Sequence, residues 1–447
     1  MLKIKWVNAR EGVDIYLPLS FRRKYKLFSN KITFHFGSFN KKLTVKFKKK
    51  LSNNKVCLSD KWKGNVFIPE DLTYEFKVAK NSLHIGPMIL WVAANNDERL
   101  DKRLYNLQRR IEQYVPKRGM ICVCSEEGID MKKQKIRGYY FQPNVTNDHQ
   151  LKWKKATFSS PGAVFKRVPL SKKTNQFLME STNDKMFNSY FFNKWEMWEW
   201  LSPDSYLKKH LPETKKLEKL KQINKMLREY PIIYVKPIRG SEGKKIINLK
   251  KSKSKIHIKD DVNTRKSVHR LKEYSLLQKR INGSRQYMIQ QGVPTRYQSR
   301  HVDFRIYMQK NQYHKWKSSG MTARVSNKGS IITNLRCLDY WLNGRKALQQ
   351  IFKLSKEEAI AQERKIIRIC KRACRKVDEI GHYGDITIDF VVDKKRHVWI
   401  LEMNLRNVYP VEDPSLAGKV KGTPFKYAMS IAGFPEPRKG KKIKGIR

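Results

Sequence analysis

The chain has 447 residues, 40% of them hydrophobic, enough for roughly two to four packed domains with real cores. It carries 96 Lys and Arg against 40 Asp and Glu, and a formal net charge of +56 excludes a surface indifferent to polyanions. The most apolar stretch, residues 85–94, is interrupted by Gly86 and Pro87 and is too short for a bilayer, so no transmembrane helix is expected.

The first residues alternate like a strand and lack the basic, apolar and small-residue blocks of a signal peptide, so cytoplasmic synthesis is expected. Residues 1–84 consist of short alternating segments such as Lys31-Ile-Thr-Phe-His-Phe36 and Lys42-Leu-Thr-Val-Lys-Phe47, which predict a small β-rich domain. Residues 85–187 mix strands at 88–92 and 120–124 with a helix over 99–114. Leu100, Leu104, Leu107 and Ile111 line one side of that helix, and the stretch predicts an α/β domain of its own. Residues 188–435 form the largest predicted domain. It holds a helix opening at the aromatic cluster around Lys194, further helices over 217–230 and 356–379, and strands at 232–235, 246–249, 287–291, 304–309, 386–391 and 398–402. Residues 436–447 read as a basic disordered tail, and no fixed-period repeat is present, so the fold class is α/β (α+β).

Six cysteines, at 57, 122, 124, 337, 370 and 374, are too few and too irregular for a disulfide scaffold, and reduced structural thiols are expected. Basic residues run from Lys3 to Arg447 without a nucleic-acid-reading module. The charge therefore implies either non-specific attraction to nucleic acid or anionic polymers or a solvated Lys-rich surface, and argues against sequence-specific reading. No Gly-x-Ser-x-Gly elbow is present and the histidines are isolated, which argues against nucleophilic-triad chemistry.

Two groups of residues carry chemistry. Strand 232–235 leads into Lys236-Pro237 and a loop with Gly240, Ser241 and Gly243. A cation and unobstructed backbone N–H groups at one point suit a polyphosphate, although a Gly-rich loop of this kind also serves as a plain turn. The second group is Asp389 with Glu402 and Asn404. A turn at 393–396 folds the two strands together, and period-two alternation sets Glu402 and Asn404 on one face beside Asp389. Hard oxygen donors gathered this way suit Mg²⁺, while acidic residues at strand ends also occur simply solvated or paired with lysine.

Tyr230-Pro-Ile-Ile-Tyr-Val-Lys236-Pro-Ile-Arg-Gly240-Ser-Glu-Gly243 resembles the phosphate-loop hairpin of ATP-grasp ligases, and Asp389 with Glu402-x-Asn404 resembles their metal-ligand set. From about residue 83 to residue 434 the chain is similar to the YheC/YheD family of endospore coat-associated proteins. The similarity runs through Ile85-Gly86-Pro87, Gly128-Ile-Asp130, Phe191-Phe-Asn-Lys194-Trp195, Leu211-Pro-Glu-Thr214, Gln290-Gln-Gly292 and Gly320-Met-Thr-Ala-Arg324-Val325. This resemblance implies that the C-terminal domain is an ATP-grasp fold of two α+β subdomains with ATP and Mg²⁺ as its cofactors. Lys194 and Lys236 would flank the phosphates under Gly240, Ser241 and Gly243. The backbone of the segment holding Gln290, Gln291 and Val293 would meet the adenine edge, and Asp303 would lie near the ribose. Arg305 and Arg324 would serve catalysis at the γ-phosphate and the incoming carboxylate, and Asp389, Glu402 and Asn404 would hold the metal.

The resemblance further implies an ATP-dependent carboxylate-amine ligase that works through an acylphosphate on an unidentified carboxylate or amine. It also implies association with the endospore and contact with spore-coat components. The alternative is a non-catalytic nucleotide-binding or structural basic spore-coat protein. Two departures bear on turnover: relatives usually have Gly-Lys-Gly-Ile where this chain has Gly243-Lys244-Lys245-Ile246, and a Gly-Gly pair where it has Arg336-Cys337.

Overall fold

The alternating start of the chain closes on itself in the computed structural model, which describes residues 1–112, 118–145, 150–240, 243–262, 264–283, 285–293, 295–333, 335–406 and 414–436. In strand Leu2–Val7, Leu2 and Ile4 are buried while Lys3 and Lys5 are exposed, and in Lys31–Phe36 the buried set is Ile32, Phe34 and Phe36. Seven such strands between Leu2 and Gly86 form a closed barrel, with parallel pairs such as Leu2–Val7 beside Lys55–Ser59. Closure leaves no open edge and turns the lysines outward.

Strand Met88–Ala94 is buried along its whole length, as a strand covered on both faces must be. It pairs in parallel with Met120–Ser125 on one side and Ala163–Lys166 on the other. Met88, Leu90 and Val92 pack into the core shared with the barrel, while Ile89 and Trp91 pack against Leu104, Ile111 and Phe425. The helix expected over 99–114 is two helices, Asp97–Asp101 and Leu104–Ile111, and residues 113–117 lie outside the described residues. The chain turns at Lys102 and Arg103, so that Leu104, Gln108 and Ile111 face the sheet. Gln108 is buried there because its side chain accepts from Lys152 N at 2.7 Å and donates to Gln150 O at 3.2 Å.

Two antiparallel sheets follow. One runs Thr214–Leu217, Tyr287–Gln291, Ile232–Pro237, Ile247–Ser252, Lys255–Asp260, Arg265–Val268 in spatial order. The other runs Leu338–Asn343, Trp316–Ser326, Arg300–Lys310, Asp385–Val392, Val398–Asn404. Helix Lys356–Asp378, started by a capping box from Ser355 and Glu358, lays Ile366, Ile369, Cys370, Ala373 and Val377 into the core of the second sheet. Burial pushes the thiols of Cys122, Cys124, Cys370 and Cys374 up, so they stay protonated and inert. Among the described residues no helix is long and apolar enough to cross a membrane, and 437–447, in the expected tail, lie outside them.

Helix Pro414–Ile431 returns to the Met88–Ala94 sheet, where Phe425 packs edge-on against Trp91 and Phe165 at 5.3 and 5.7 Å. Phe425→Ala leaves a cavity between these rings, and denaturant unfolding is expected to show a loss of about 3–5 kcal/mol.

Candidate functional site

Ile233 and Val235 of strand Ile232–Pro237 point into the core, which sends Tyr234 and Lys236 to the opposite face. Lys236 Nζ donates to Gln290 Oε1 at 2.7 Å, and Gln290 Nε2 donates to Thr214 Oγ1 at 3.1 Å. Burial pushes the Lys236 ammonium down to about 8, with Glu402 pulling it up and Lys194 pushing it further down. Lys194 reaches the same place from the first turn of helix Lys194–Leu201, which a capping box of Asn193 and Glu196 holds in position. Its Nζ donates to Gly240 O at 2.7 Å and lies 3.3 Å from Glu402 Oε2.

The loop beyond Gly240 turns through two left-handed residues. Gly243 has φ +66°, and Lys245, where the family resemblance led to an expectation of glycine, has φ +62°. Arg280 Nη1 donates to the Lys245 carbonyl at 2.5 Å and supports that turn. Ser241 lies outside the described residues.

On the facing sheet, register does most of the assembly. Arg305 stands opposite Asp389, Asp389 opposite Glu402, and Asp303 opposite Arg324. Arg305 grips Asp389 with both Nε and Nη2 at 2.7 Å. Arg324 grips Asp303 at 2.6 and 2.5 Å and also lies 3.1 Å from Asp389. Burial alone would raise the Asp389 carboxyl, but the two arginines outweigh it and hold Asp389 well below the usual range. Asp303 goes the other way, since burial outweighs Arg324 and raises it. Arg324 is buried in this lattice, whereas Arg305 is only half-buried and borders the cleft.

The oxygen donors expected for a metal sit on one hairpin. Asn404 Nδ2 donates to Glu402 Oε1 at 3.0 Å, which turns its Oδ1 outward, and Asp389 keeps lone pairs beyond those its arginines use. Two carboxylates and an amide oxygen fit Mg²⁺, which takes only part of its octahedron from protein. Among the described residues no group of three or more His, Cys, Asp or Glu side chains is placed to hold a metal, and this set has two such residues and an amide.

In the segment whose backbone was expected to meet the adenine, two side chains are held by the protein itself. The Gln290 side chain is buried and holds Lys236, and Gln291 Oε1 accepts from Glu213 N at 3.1 Å, so both side chains are engaged inside the protein. The N–H groups of Gln291 and Gly292 donate to Glu213 O and Ile232 O, both at 2.8 Å. A Cβ on Gly292 would stand 2.5 Å from Ile232 Cγ2, so glycine is required there. Val293 is half-buried, and its N–H meets no described backbone carbonyl. The roles of Thr214 and Glu213 were not foreseen, although the Leu211-Pro-Glu-Thr214 motif marked the place.

A family model described as YheC/D-like ATP-grasp matches residues 183–431. The endospore coat-associated protein YheD of Bacillus subtilis (strain 168) is 25% identical over 377 residues, which cover 78% of this chain and 79% of that protein. YheC of the same organism is 25% identical over 224 residues, 47% of this chain and 59% of that protein. Among solved structures, the VanG D-Ala:D-Ser ligase from Enterococcus faecalis is similar over 77% of this chain and 98% of its own, at 9% identity and a TM-score of 0.46.

A non-glycine residue in the left-handed region costs about 1–2 kcal/mol, part of which the greater unfolded-state freedom of glycine cancels. Lys245→Gly is therefore expected to leave stability unchanged or raise it by up to about 1 kcal/mol in denaturant unfolding, and the β-branched Lys245→Val to lower it by about 1 kcal/mol or more.

Proposed function

The chain belongs to the YheC/D-like ATP-grasp family, and from that premise we propose that it binds Mg-ATP between Lys236 and the Asp389, Glu402 and Asn404 hairpin and uses it to activate a carboxylate. The observation that carries this is the position of Lys194 Nζ, 2.7 Å from the Gly240 carbonyl of the loop and 3.3 Å from Glu402. Two lysines from different elements thus meet a metal-type carboxylate at one point.

In the proposed reaction a substrate carboxylate oxygen attacks the γ-phosphorus and the bond to the bridging oxygen of ADP breaks, giving an acylphosphate and ADP. An amine then attacks the acyl carbon, loses a proton, and inorganic phosphate leaves. Lys194 and Lys236 neutralise phosphate oxygens, and Arg305 faces the transferred group from the cleft wall. Arg324, buried against Asp303 and Asp389, acts as a positioning residue. Asp389, Glu402 and Asn404 would hold Mg²⁺, which when bound screens the charge of the phosphate oxygens. The names of the relatives support an endospore association for this chain as well.

ATP is expected to raise the melting temperature of the wild type, and Glu402→Ala and Lys236→Ala are expected to abolish that rise. No ATP-dependent shift in the wild type would refute the assignment. A panel of carboxylates paired with amines should then contain one combination that accelerates ADP release, with Lys236→Ala as the inactive control. The strained Lys245 turn and the +56 charge favour a second reading, a nucleotide-binding spore component without turnover, in which ATP stabilises the protein but no combination releases ADP.

Lys236 also sets a pH dependence. Its value of about 8 in the free protein rises when a polyanion binds, so binding takes up a proton above that value. ATP affinity should be fullest below pH 8 and fall as pH rises through it, a slope read by calorimetric titration that Lys236→Arg, which stays charged over this range, should flatten. The ligand-free protein should behave oppositely. Between about 8 and the ordinary lysine value of 10.5 the unfolded chain binds more protons, so this group adds stability as pH rises.

A further inference from the structure

A second charged feature borders the cleft. Strands Met88–Ala94, Met120–Ser125 and Ala163–Lys166 are parallel, and the crevice outside their carboxyl ends is where open α/β sheets take ligands. Two arginines meet at the end of the first of these strands: Arg167 N donates to Val92 O at 3.0 Å and Arg103 Nη1 to Ala93 O at 3.4 Å. Arg167 Nη1 in turn lies 3.3 Å from Asp385 Oδ2, at the start of the strand that carries Asp389. Asn404 stands opposite Thr387, and the same register carried two residues further sets Arg406 beside Asp385. Arg99 stands four residues before Arg103, across the turn at Lys102 and Arg103.

The acids along this edge are engaged elsewhere, Asp97 by Ser125 and Arg137 and Asp101 by Tyr139. Among the described residues Arg99 and Arg406 are exposed and make no ion pair or side-chain hydrogen bond, and Arg103 has only the Ala93 carbonyl. The positive charges of Arg103, Arg167 and Arg99 all act on the Arg406 guanidinium. Like charges held together at the mouth of a cleft call for an anion between them.

We propose that Arg99, Arg103, Arg167 and Arg406 form the anchoring subsite for a substrate with at least two carboxylates, one held here and the other presented at the Arg305 and Asn404 end of the nucleotide cleft. This rests on the ligase reading of that cleft. Planar guanidinium forks match carboxylates in bidentate geometry, and the adjoining chemistry consumes a carboxylate. Arg406 follows Asn404 by two residues, a span of at most about 7 Å, so the two carboxylates are as far apart as those of a small tricarboxylate or an acidic peptide.

The test is calorimetric titration of the full chain, in the presence of ADP and Mg²⁺ at low salt, with triglutamate, tricarballylate, acetate and inorganic phosphate. Triglutamate, tricarballylate or both should bind at least tenfold more tightly than acetate or phosphate, and which of them does so separates a peptide from a small-molecule source. Arg99→Gln and Arg406→Gln should each weaken that binding about tenfold. Removing two charges from an exposed strand elsewhere, as Lys250→Gln with Lys251→Gln, should leave it within twofold. Equal loss in the lysine variant, no loss in the arginine variants, or equal or tighter binding of phosphate would overturn the proposal. ADP binding is read in the same samples. If it is intact while polycarboxylates fail to bind, only this subsite falls, whereas its absence from the wild type removes the nucleotide assignment itself.

Discussion

Asp389 is a buried carboxylate held between two guanidinium groups, and the cleft is arranged around satisfying it. An unpaired charge at that depth is strongly unfavourable, so Arg305 on the adjacent strand and Arg324 on the strand beyond it must stand in one register only. A slip of one residue would turn Arg305 toward the core and bring Phe304 or Ile306 out. The same register sets Glu402 beside Asp389 on the next strand, within reach of Lys194, and Lys194 in turn touches the loop that follows Lys236. The two sheets are thus tied to each other through charge at the point where a polyphosphate would lie.

The cleft is cationic before any ligand enters it. Lys194, Lys236, Arg305 and Arg324 are set against Asp303, Asp389 and Glu402, and much of this is shielded from water. Burial of its ammonium depresses Lys236, and Glu402 and Asp303 offset that only in part, so its charge is left under-compensated. A polyphosphate with a divalent cation would relieve that imbalance and keep the arginine lattice intact. The lysines of the barrel differ in kind: Lys3 and Lys5 alternate with core residues and face solvent singly, as a solvated surface does.

How much of this was legible in the sequence depends on how local the cause is. Alternation and a four-residue turn were enough to set Asp389 near Glu402 and Asn404, because both strands of that hairpin are contiguous in the chain. A strand ending in lysine before a glycine loop was equally plain at Lys236. The Arg305 to Asp389 fork joins residues on strands whose adjacency no local pattern records, so Arg305 and Arg324 could be named but not placed. Alternation marked strands in the first 84 residues, yet closure depends on parallel pairs such as Lys3 with Lys55, which periodicity cannot encode. The left-handed Lys245 was foreshadowed only as a missing glycine, and the break at Lys102 and Arg103 is set by tertiary demand: Gln108 is fixed by Lys152 and Gln150. Only a backbone role was read for the segment around Gln290, and the hold of its side chain on Lys236 joins two strands that no local pattern brings together.

The most direct test of the central claim is a crystal structure of the full chain with a non-hydrolysable ATP analogue and Mn²⁺ in place of Mg²⁺, read by anomalous scattering. The account predicts a manganese peak ligated by Asp389, Glu402 and the Oδ1 atom of Asn404, with the β- and γ-phosphates hydrogen-bonded to Lys194 and Lys236. A nucleotide or manganese peak elsewhere, with Lys194 still bound to Glu402 and the cleft unchanged, would contradict it.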